Sequence, residues 1–347
     1  MVSGATMKAL RKLHSKSTEL AISELPIREL GPDEVLVSVF AAGICGTDLH
    51  IIDGSYPSST PVTLGHEIAG LVEAVGFTVD SSWIGKRVAV EPPVGCETCR
   101  WCLAGIPMHC PNRMSLGTHI DGGLAERVIV PARNLHELPT VISDHAGALL
   151  EPLACVCNAL LDPISIKPGD RVVVIGPGTI GILAAQVAGT LGGNVTLVGL
   201  RSDEARLDLA KRLGIDTCLF DEDESRKRIE QQSADEGTDM VIECSGSEGA
   251  VPWAFSLLQP RGHLVLLGLL SSDTTVKVPA ILTREFRLSG SYGSTPKSWD
   301  RAVELVTSCE IQLDPLVTSV FPLEDWRTAF EQMQAQQGVK TLLDPRL

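Results

Sequence analysis

The sequence predicts an α/β chain in which a β-rich region precedes a doubly wound parallel sheet, and three observations carry that expectation. The 347 residues exceed the size at which one hydrophobic core usually keeps growing, so two domains are expected. From Asp170 onward, apolar strands alternate with helices. A glycine-rich turn, GPGTIG at 176–181, joins the first of those strands to its helix.

Taken in order, residues 1–157 read as short strands, such as Glu34 to Phe40 and Lys86 to Val90, broken by Gly and Pro turns with little helical periodicity. Residues 158–293 change pattern: an apolar strand at Val172 to Ile175, a helix at Thr179 to Leu191 and a second strand at Val195 to Leu200 describe a βαβ unit. The alternation continues through Ala205 to Leu213, Met240 to Glu243, Ala250 to Leu258 and His263 to Leu267, as a parallel doubly wound sheet requires. Residues 294–347, with a helix around Ser298 to Thr307, are too short for a domain of their own and are expected to return to the first one. No internal repeat or low-complexity segment interrupts this plan.

A formal net charge of -14 disfavours nucleic acid and anionic lipid as partners, because both are held by clustered Lys and Arg. The N-terminal MVSGATMKALRKL lacks the long apolar stretch and cleavage site of a signal peptide, and no apolar run reaches the ~20 residues that span a bilayer. A cytoplasmic protein is expected. In that reducing setting ten cysteines point to metal ligands and free thiols rather than disulfides.

Cys96, Cys99, Cys102 and Cys110 form C-x2-C-x2-C-x7-C, whose short gaps let thiolates converge on one tetrahedral ion. Four sulfurs leave no open position, so the expected site is structural: zinc binding would fold an otherwise loose loop. An iron-sulfur cluster is the competing reading; the dense runs of two-cluster ferredoxins are absent.

Three other segments carry ligand-type residues: Cys45 in GICGTDLH, His66 and Glu67 in TLGHEIAG, and Glu151 in LLEPLAC. Singly, each has an ordinary structural explanation, since a lone Cys is usually a small hydrophobe and a His or Glu beside glycines usually a turn residue. In combination with the cysteine cluster and the βαβ unit, and in matching order over nearly the whole chain, they resemble the zinc-containing medium-chain alcohol and polyol dehydrogenases.

That resemblance implies a GroES-like β-rich catalytic domain joined to a Rossmann domain, with a catalytic zinc held by Cys45, His66 and Glu67. Glu151 is implied either as a further zinc ligand or as a partner of zinc-bound water; which of Glu67 and Glu151 binds directly stays open. Simple alcohol dehydrogenases carry cysteine where Glu151 stands, so the match is to the polyol and threonine dehydrogenase branches. Cys155 and Cys157, just beyond, are expected to pack in a helix. As a Lewis acid, zinc lowers the pKa of a bound alcohol and eases hydride departure. Thr47 and His50 match the family's proton relay through the cofactor ribose, and Asp48 the carboxylate that orients His66 by accepting its ring N–H.

In GPGTIG, Gly176 permits the tight turn, Gly178 lets the backbone approach a pyrophosphate, and Gly181 allows close helix-to-strand packing. NAD-selective folds place an acid about 20 residues on, yet the second strand ends Val198-Gly199-Leu200-Arg201. Gly199 is read as leaving room and Arg201 as pairing with a 2'-phosphate, which leans towards NADP over NAD. Asp203 and Glu204 read more simply as caps of the following helix. Ile180, Arg206, Gly268, Leu269 and Tyr292 are cofactor contacts by resemblance alone.

The expected activity is reversible oxidation of a secondary alcohol on a polyol, sugar or sugar derivative, with two zinc ions per chain and NADP or NAD. Threonine-type amino alcohol oxidation, or a metal- and nucleotide-binding sensor without turnover, are the alternatives. The only partners expected are the small-molecule alcohol and further copies of the chain, as a tetramer or dimer, with a sheet edge near Phe286 to Ser291 available for pairing.

Overall fold

A computed structural model of the chain describes residues 5–161, 164, 166–270 and 273–347. Two compact units emerge, one of residues 1–151, 294–309 and 313–347, the other of residues 152–293 and 310–312.

The first unit is β-rich. Among the described residues its largest sheet runs Leu135–Glu137, Arg87–Val90, Glu67–Val75, Glu34–Gly43, Lys340–Asp344 and Val317–Pro322, with Arg127–Pro131 also paired to Glu34–Gly43. Val35, Val37, Val39, Ile68, Val88, Val90 and Leu343 from these strands form its core. The strand expected to end at Phe40 continues to Gly43, and that extension leads directly to Cys45. Gly43 pairs antiparallel with Glu67 on one side and with Leu342 on the other. Cys45, His66, Glu67 and Lys340 thus arrive together from three neighbouring strand ends.

The chain leaves Gly43 into a helix at Gly46–Asp53, whose first turn is closed by Asp48: its Oδ2 accepts the Cys45 N–H at 2.8 Å. At the other end the buried Lys12 ammonium donates to the carbonyls of Ile51 and Ile52, so the helix is held at both termini.

The lobe at 94–115 has almost no core. It comprises the pair Pro93–Val94 with Met114–Ser115, a helix at Arg100–Leu103 and a 3-10 turn at Pro107–His109, and Cys110 alone is buried between 94 and 115.

The returning C-terminal segment opens with a helix at Pro296–Thr307, capped reciprocally by Thr295 and Ser298. Its Trp299 is fully buried, donates its indole N–H to Ser294 Oγ at 3.0 Å and stacks on His136 at 4.5 Å. His136 in turn meets the buried Glu91 carboxylate at 3.1 Å.

The second unit is a six-stranded sheet, parallel throughout, in the order Asp216–Leu219, Asn194–Gly199, Arg171–Ile175, Thr238–Glu243, Leu258–Leu266, Arg287–Gly290. In sequence numbering that order is 3-2-1-4-5-6, the doubly wound arrangement used for dinucleotides. Val172, Val174, Val241, Ile242 and Leu264 are buried, as expected of strands covered on both faces. The helix Thr179–Thr190 buries Gly181 through Ala188. Strand Asp216–Leu219 and helix Asp223–Glu236 were not anticipated: four residues, DTCL, are too few to show a period, and DESRKRIEQQSADE carries one apolar side chain longer than alanine. No helix among the described residues is long and apolar enough to cross a membrane.

Because Trp299 sits on the core side of the returning segment, Trp299→Ala is expected to cost about 3–5 kcal/mol. Urea unfolding followed by circular dichroism checks this; a loss under ~1 kcal/mol would mean the site collapses freely around the gap.

Candidate active site and dinucleotide-binding loop

Cys45, His66 and Glu67 offer sulfur, nitrogen and oxygen atoms that all lie within 4.8 Å of one another. The site is set by strand pairing: Glu67 begins its strand opposite Gly43, and a Cβ at Gly43 would overlap the Glu67 carboxylate. His66 and Glu67 are enclosed, with 12% and 1% of their side chains exposed.

Burial of that carboxylate is offset by Lys340, which nothing in the sequence marks as buried and which lies enclosed beside it. Its Nζ lies 2.7 Å from both Glu67 oxygens, is aligned to donate to Oε1, and also donates to the Ile44 carbonyl at 3.1 Å. Burial works against the Lys340 charge, but Glu67 and Cys45 outweigh it and hold its pKa above the ordinary value. Burial likewise pulls His66 down, yet Cys45, Asp48 and Glu151 together lift it well above the usual imidazole range.

Among the described residues His66 Nδ1 and Glu67 Oε2 are buried without an aligned hydrogen-bond partner, Oε2 having the Lys340 ammonium 2.7 Å away. A thiol, an imidazole and a carboxylate gathered at this spacing are within the ligand chemistry of zinc. Glu151, in the first turn of the helix Leu150–Leu160, is buried but outside this cluster; it reaches His66 and Lys340 through charge. Cys155 and Cys157 lie in the same helix.

Asp48 departs from expectation. Its Oδ1 is 4.0 Å from His66 Nδ1, too far for a hydrogen bond, and its oxygens accept the N–H groups of Cys45 and Gly65 at 2.8 and 3.2 Å. It fixes the backbone on both sides of the cluster instead of the imidazole. Thr47 Oγ1 is 3.7 Å from Cys45 Sγ. His50, one helical turn on, is part-exposed, and its Nδ1 meets Ser55 Oγ at 3.1 Å.

The second cluster gathers Cys96, Cys99, Cys102 and Cys110 within the same 4.8 Å limit. Hydrogen bonds from Thr98, Cys99 and Cys110 lower Cys96 to about 6, whereas burial and the neighbouring thiols push Cys102 up to about 11. All ten cysteines are free thiols.

In the second unit the sequence-selected residues stand at the carboxyl ends of parallel strands. Gly176 follows Arg171–Ile175 with φ 99, and a Cβ at Gly181 would overlap the Gly176 carbonyl, so this turn admits only glycine at both. Gly178 is the N-cap of Thr179–Thr190 and faces open space, with Ile180 in the first turn. Gly268 and Leu269 follow Leu258–Leu266, the Gly268 N–H donating to the Glu243 carbonyl at 2.9 Å; Tyr292 follows Arg287–Gly290. Arg201 follows Asn194–Gly199, and Arg206 pairs with Asp203 at 3.3 Å. Gly199 does not open space for a phosphate: a Cβ there would lie 2.7 Å from Pro177 Cγ, so the missing side chain serves the packing of the glycine turn.

Asp221 and Glu222, which border Arg201, escaped sequence reading because they follow the unrecognised strand. Lys340 and Gly43 were equally hidden, because only tertiary pairing brings them to Glu67.

A β-rich unit with a three-ligand metal cluster and a four-cysteine cluster, beside a doubly wound dinucleotide-type sheet, defines the class of zinc-dependent dehydrogenases. Residues 31–140 match the family described as "Alcohol dehydrogenase GroES-like domain", and residues 179–308 the one described as "Zinc-binding dehydrogenase". The chain is 35% identical to a sorbitol dehydrogenase of Halalkalibacterium halodurans over 98% of its own length and 99% of the relative's. It is 32% identical to a D-arabitol-phosphate dehydrogenase of Enterococcus avium, covering 98% and 97%. A solved zinc-binding dehydrogenase of Sinorhizobium meliloti 1021, bound to NADP, superposes with a TM-score of 0.88 at 33% identity, covering 98% and 100%. The chain belongs to the zinc-containing medium-chain alcohol and polyol dehydrogenase family.

Replacing Lys340 with Met removes the cation from a buried carboxylate, a change of about 3–5 kcal/mol unless a metal supplies the charge. Chelation is therefore expected to lower Tm further in Lys340→Met than in the parent chain; equal losses in thermal melts would show that Lys340 and the metal do not share Glu67.

Proposed function

We propose that this chain is a zinc-dependent oxidoreductase that moves a hydride reversibly between a secondary alcohol, on a polyol, sugar or sugar derivative, and NAD(P). The observation that carries the reading is the convergence of Cys45, His66 and Glu67 on one point, two residues from the Thr47 hydroxyl, in a chain of this family. The sorbitol and arabitol-phosphate dehydrogenases it resembles favour a polyhydroxylated substrate.

In this reading Cys45, His66 and Glu67 hold the metal, and Glu151, whose charge acts on His66 and Lys340, is the partner of a zinc-bound water. Bound zinc would supply Lewis acidity, lowering the pKa of the alcohol hydroxyl. The Thr47 hydroxyl would accept the alcohol proton while passing its own on, by way of the cofactor ribose, to His50, which releases it to solvent. The Ser55 hydroxyl, itself directed at the His50 carbonyl, accepts from Nδ1–H and so leaves Nε2 as the basic nitrogen. Cys96, Cys99, Cys102 and Cys110 hold a second zinc that folds the coreless lobe. Gly176, Gly178, Ile180, Gly181, Arg201, Arg206, Gly268, Leu269 and Tyr292 serve the dinucleotide, whose pyrophosphate is stabilised by the N-terminus of Thr179–Thr190.

Residues 1–157 with 294–347 form the catalytic part and residues 158–293 the cofactor part. The protein works in the cytoplasm as a dimer or tetramer. Self-association is supported by Arg287–Gly290, which among the described residues is an edge strand of its sheet and carries an exposed Leu288.

Cys45→Ser is expected to lower kcat/KM by more than about 100-fold while NAD(P)H binding persists. Reduced-cofactor absorbance with sorbitol, arabitol, xylitol, threonine and simple alcohols reads the first effect, and fluorescence titration the second. Retained turnover would remove the catalytic-metal role, and a preference for threonine over every polyol would move the substrate to amino alcohols.

A further inference from the structure

We propose that Glu222 sets which form of the dinucleotide this chain favours, by holding the Arg201 guanidinium and placing fixed negative charge beside it. The proposal rests on the dinucleotide reading above and refines it.

At the carboxyl end of Asn194–Gly199, where an acid would accept the hydroxyls of an adenosine ribose, stand Leu200 and Arg201. Asp203 is no substitute. Its carboxylate accepts the Leu200 N–H at 3.1 Å and pairs with Arg206 at 3.3 Å, and the residue is buried. The acids on this rim come instead from the neighbouring strand, Asp216–Leu219, which runs on past Phe220, whose N–H donates to the Gly199 carbonyl at 2.8 Å. Both oxygens of Asp221 accept the Arg201 backbone N–H, at 2.9 and 3.1 Å. Arg201 Nη2 lies 3.5 Å from Glu222 Oε1.

Glu222 is anchored and Arg201 is not. The other Glu222 oxygen accepts the Ser225 hydroxyl at 2.8 Å, and the residue is the N-cap of Asp223–Glu236, where the helix dipole favours an anion. The Arg201 side chain is 62% exposed and can turn between partners. A 2'-phosphate would therefore have to draw Arg201 away from Glu222 while approaching Glu222 and Asp221, both anionic. An unphosphorylated ribose meets no such repulsion, and its hydroxyls can donate to these carboxylates. Arg201 thus admits NADP, and Glu222 weights the choice back towards NAD.

The test is the ratio of NADP to NAD affinity, measured by calorimetric titration at low ionic strength on the zinc-loaded chain. Glu222→Gln is expected to raise that ratio about five-fold, the effect of an exposed ion pair of this kind, and the gain should shrink in high salt. Arg201→Ala should lower the ratio, and adding Glu222→Gln to it should restore less than half of the single-variant gain, because the two charges act through one contact. An unchanged ratio in Glu222→Gln, or the same five-fold gain with Arg201 absent, would overturn the proposal. Because binding is read without turnover, a failure of the hydride-transfer reading leaves this result unaffected, and absence of binding by both dinucleotides would instead remove the dinucleotide reading.

Discussion

Burying a carboxylate costs several kcal/mol unless a cation and hydrogen-bond donors accompany it, and the metal cluster of this chain is organised around that constraint. Glu67 is enclosed where its strand begins, opposite a glycine that leaves room for it. Lys340 answers its charge from a strand near the C-terminus and also holds the Ile44 carbonyl, the peptide that leads into Cys45. One ammonium thereby links the two chain segments that carry the proposed metal ligands to the segment that closes the sheet. Lys340 aligns with one Glu67 oxygen and lies 2.7 Å from the other, while His66 Nδ1 has no aligned partner among the described residues.

The same unit handles its second thiol cluster in the opposite way. The cluster of Cys45, His66 and Glu67 is held by packing and by a buried ion pair, whereas the lobe at 94–115 contributes one buried residue, Cys110, to its own support. Its fold is therefore expected to depend on the metal, since thiolate ligation supplies folding free energy that a hydrophobic core elsewhere provides. In the proposed function, an open three-ligand set and a closed four-sulfur set would divide chemistry from bracing.

Much of this was legible in the sequence where a local rule governs the outcome. The βαβ unit and its glycine turn follow from an apolar strand, GPGTIG and an apolar helix, and the parallel sheet has the expected doubly wound order. The four-cysteine cluster is local, so spacing alone gathered it. What escaped was non-local or weakly patterned. Lys340 is 273 residues from Glu67, and a lysine among TLLDP offers no hint of burial. The resemblance assigns Asp48 to the imidazole, but its place three residues after Cys45 makes it the capping acid of a short helix, and the backbone claims it first. Gly199 was read as empty space for a phosphate, yet the turn it faces already fills that space with Pro177. The acids beside Arg201 belong to a strand too short to show a period.

In the proposed function one β-rich unit builds an open metal site and a closed one from different residues. Anomalous diffraction at the zinc edge, from crystals of the zinc-loaded chain, tests it most directly. Two peaks are predicted: one surrounded by the sulfurs of Cys96, Cys99, Cys102 and Cys110 at ~2.3 Å, the other bonded to Cys45 at ~2.3 Å and to His66 at ~2.0–2.1 Å. A single peak at the four cysteines, with Cys45 and His66 bare, would contradict it.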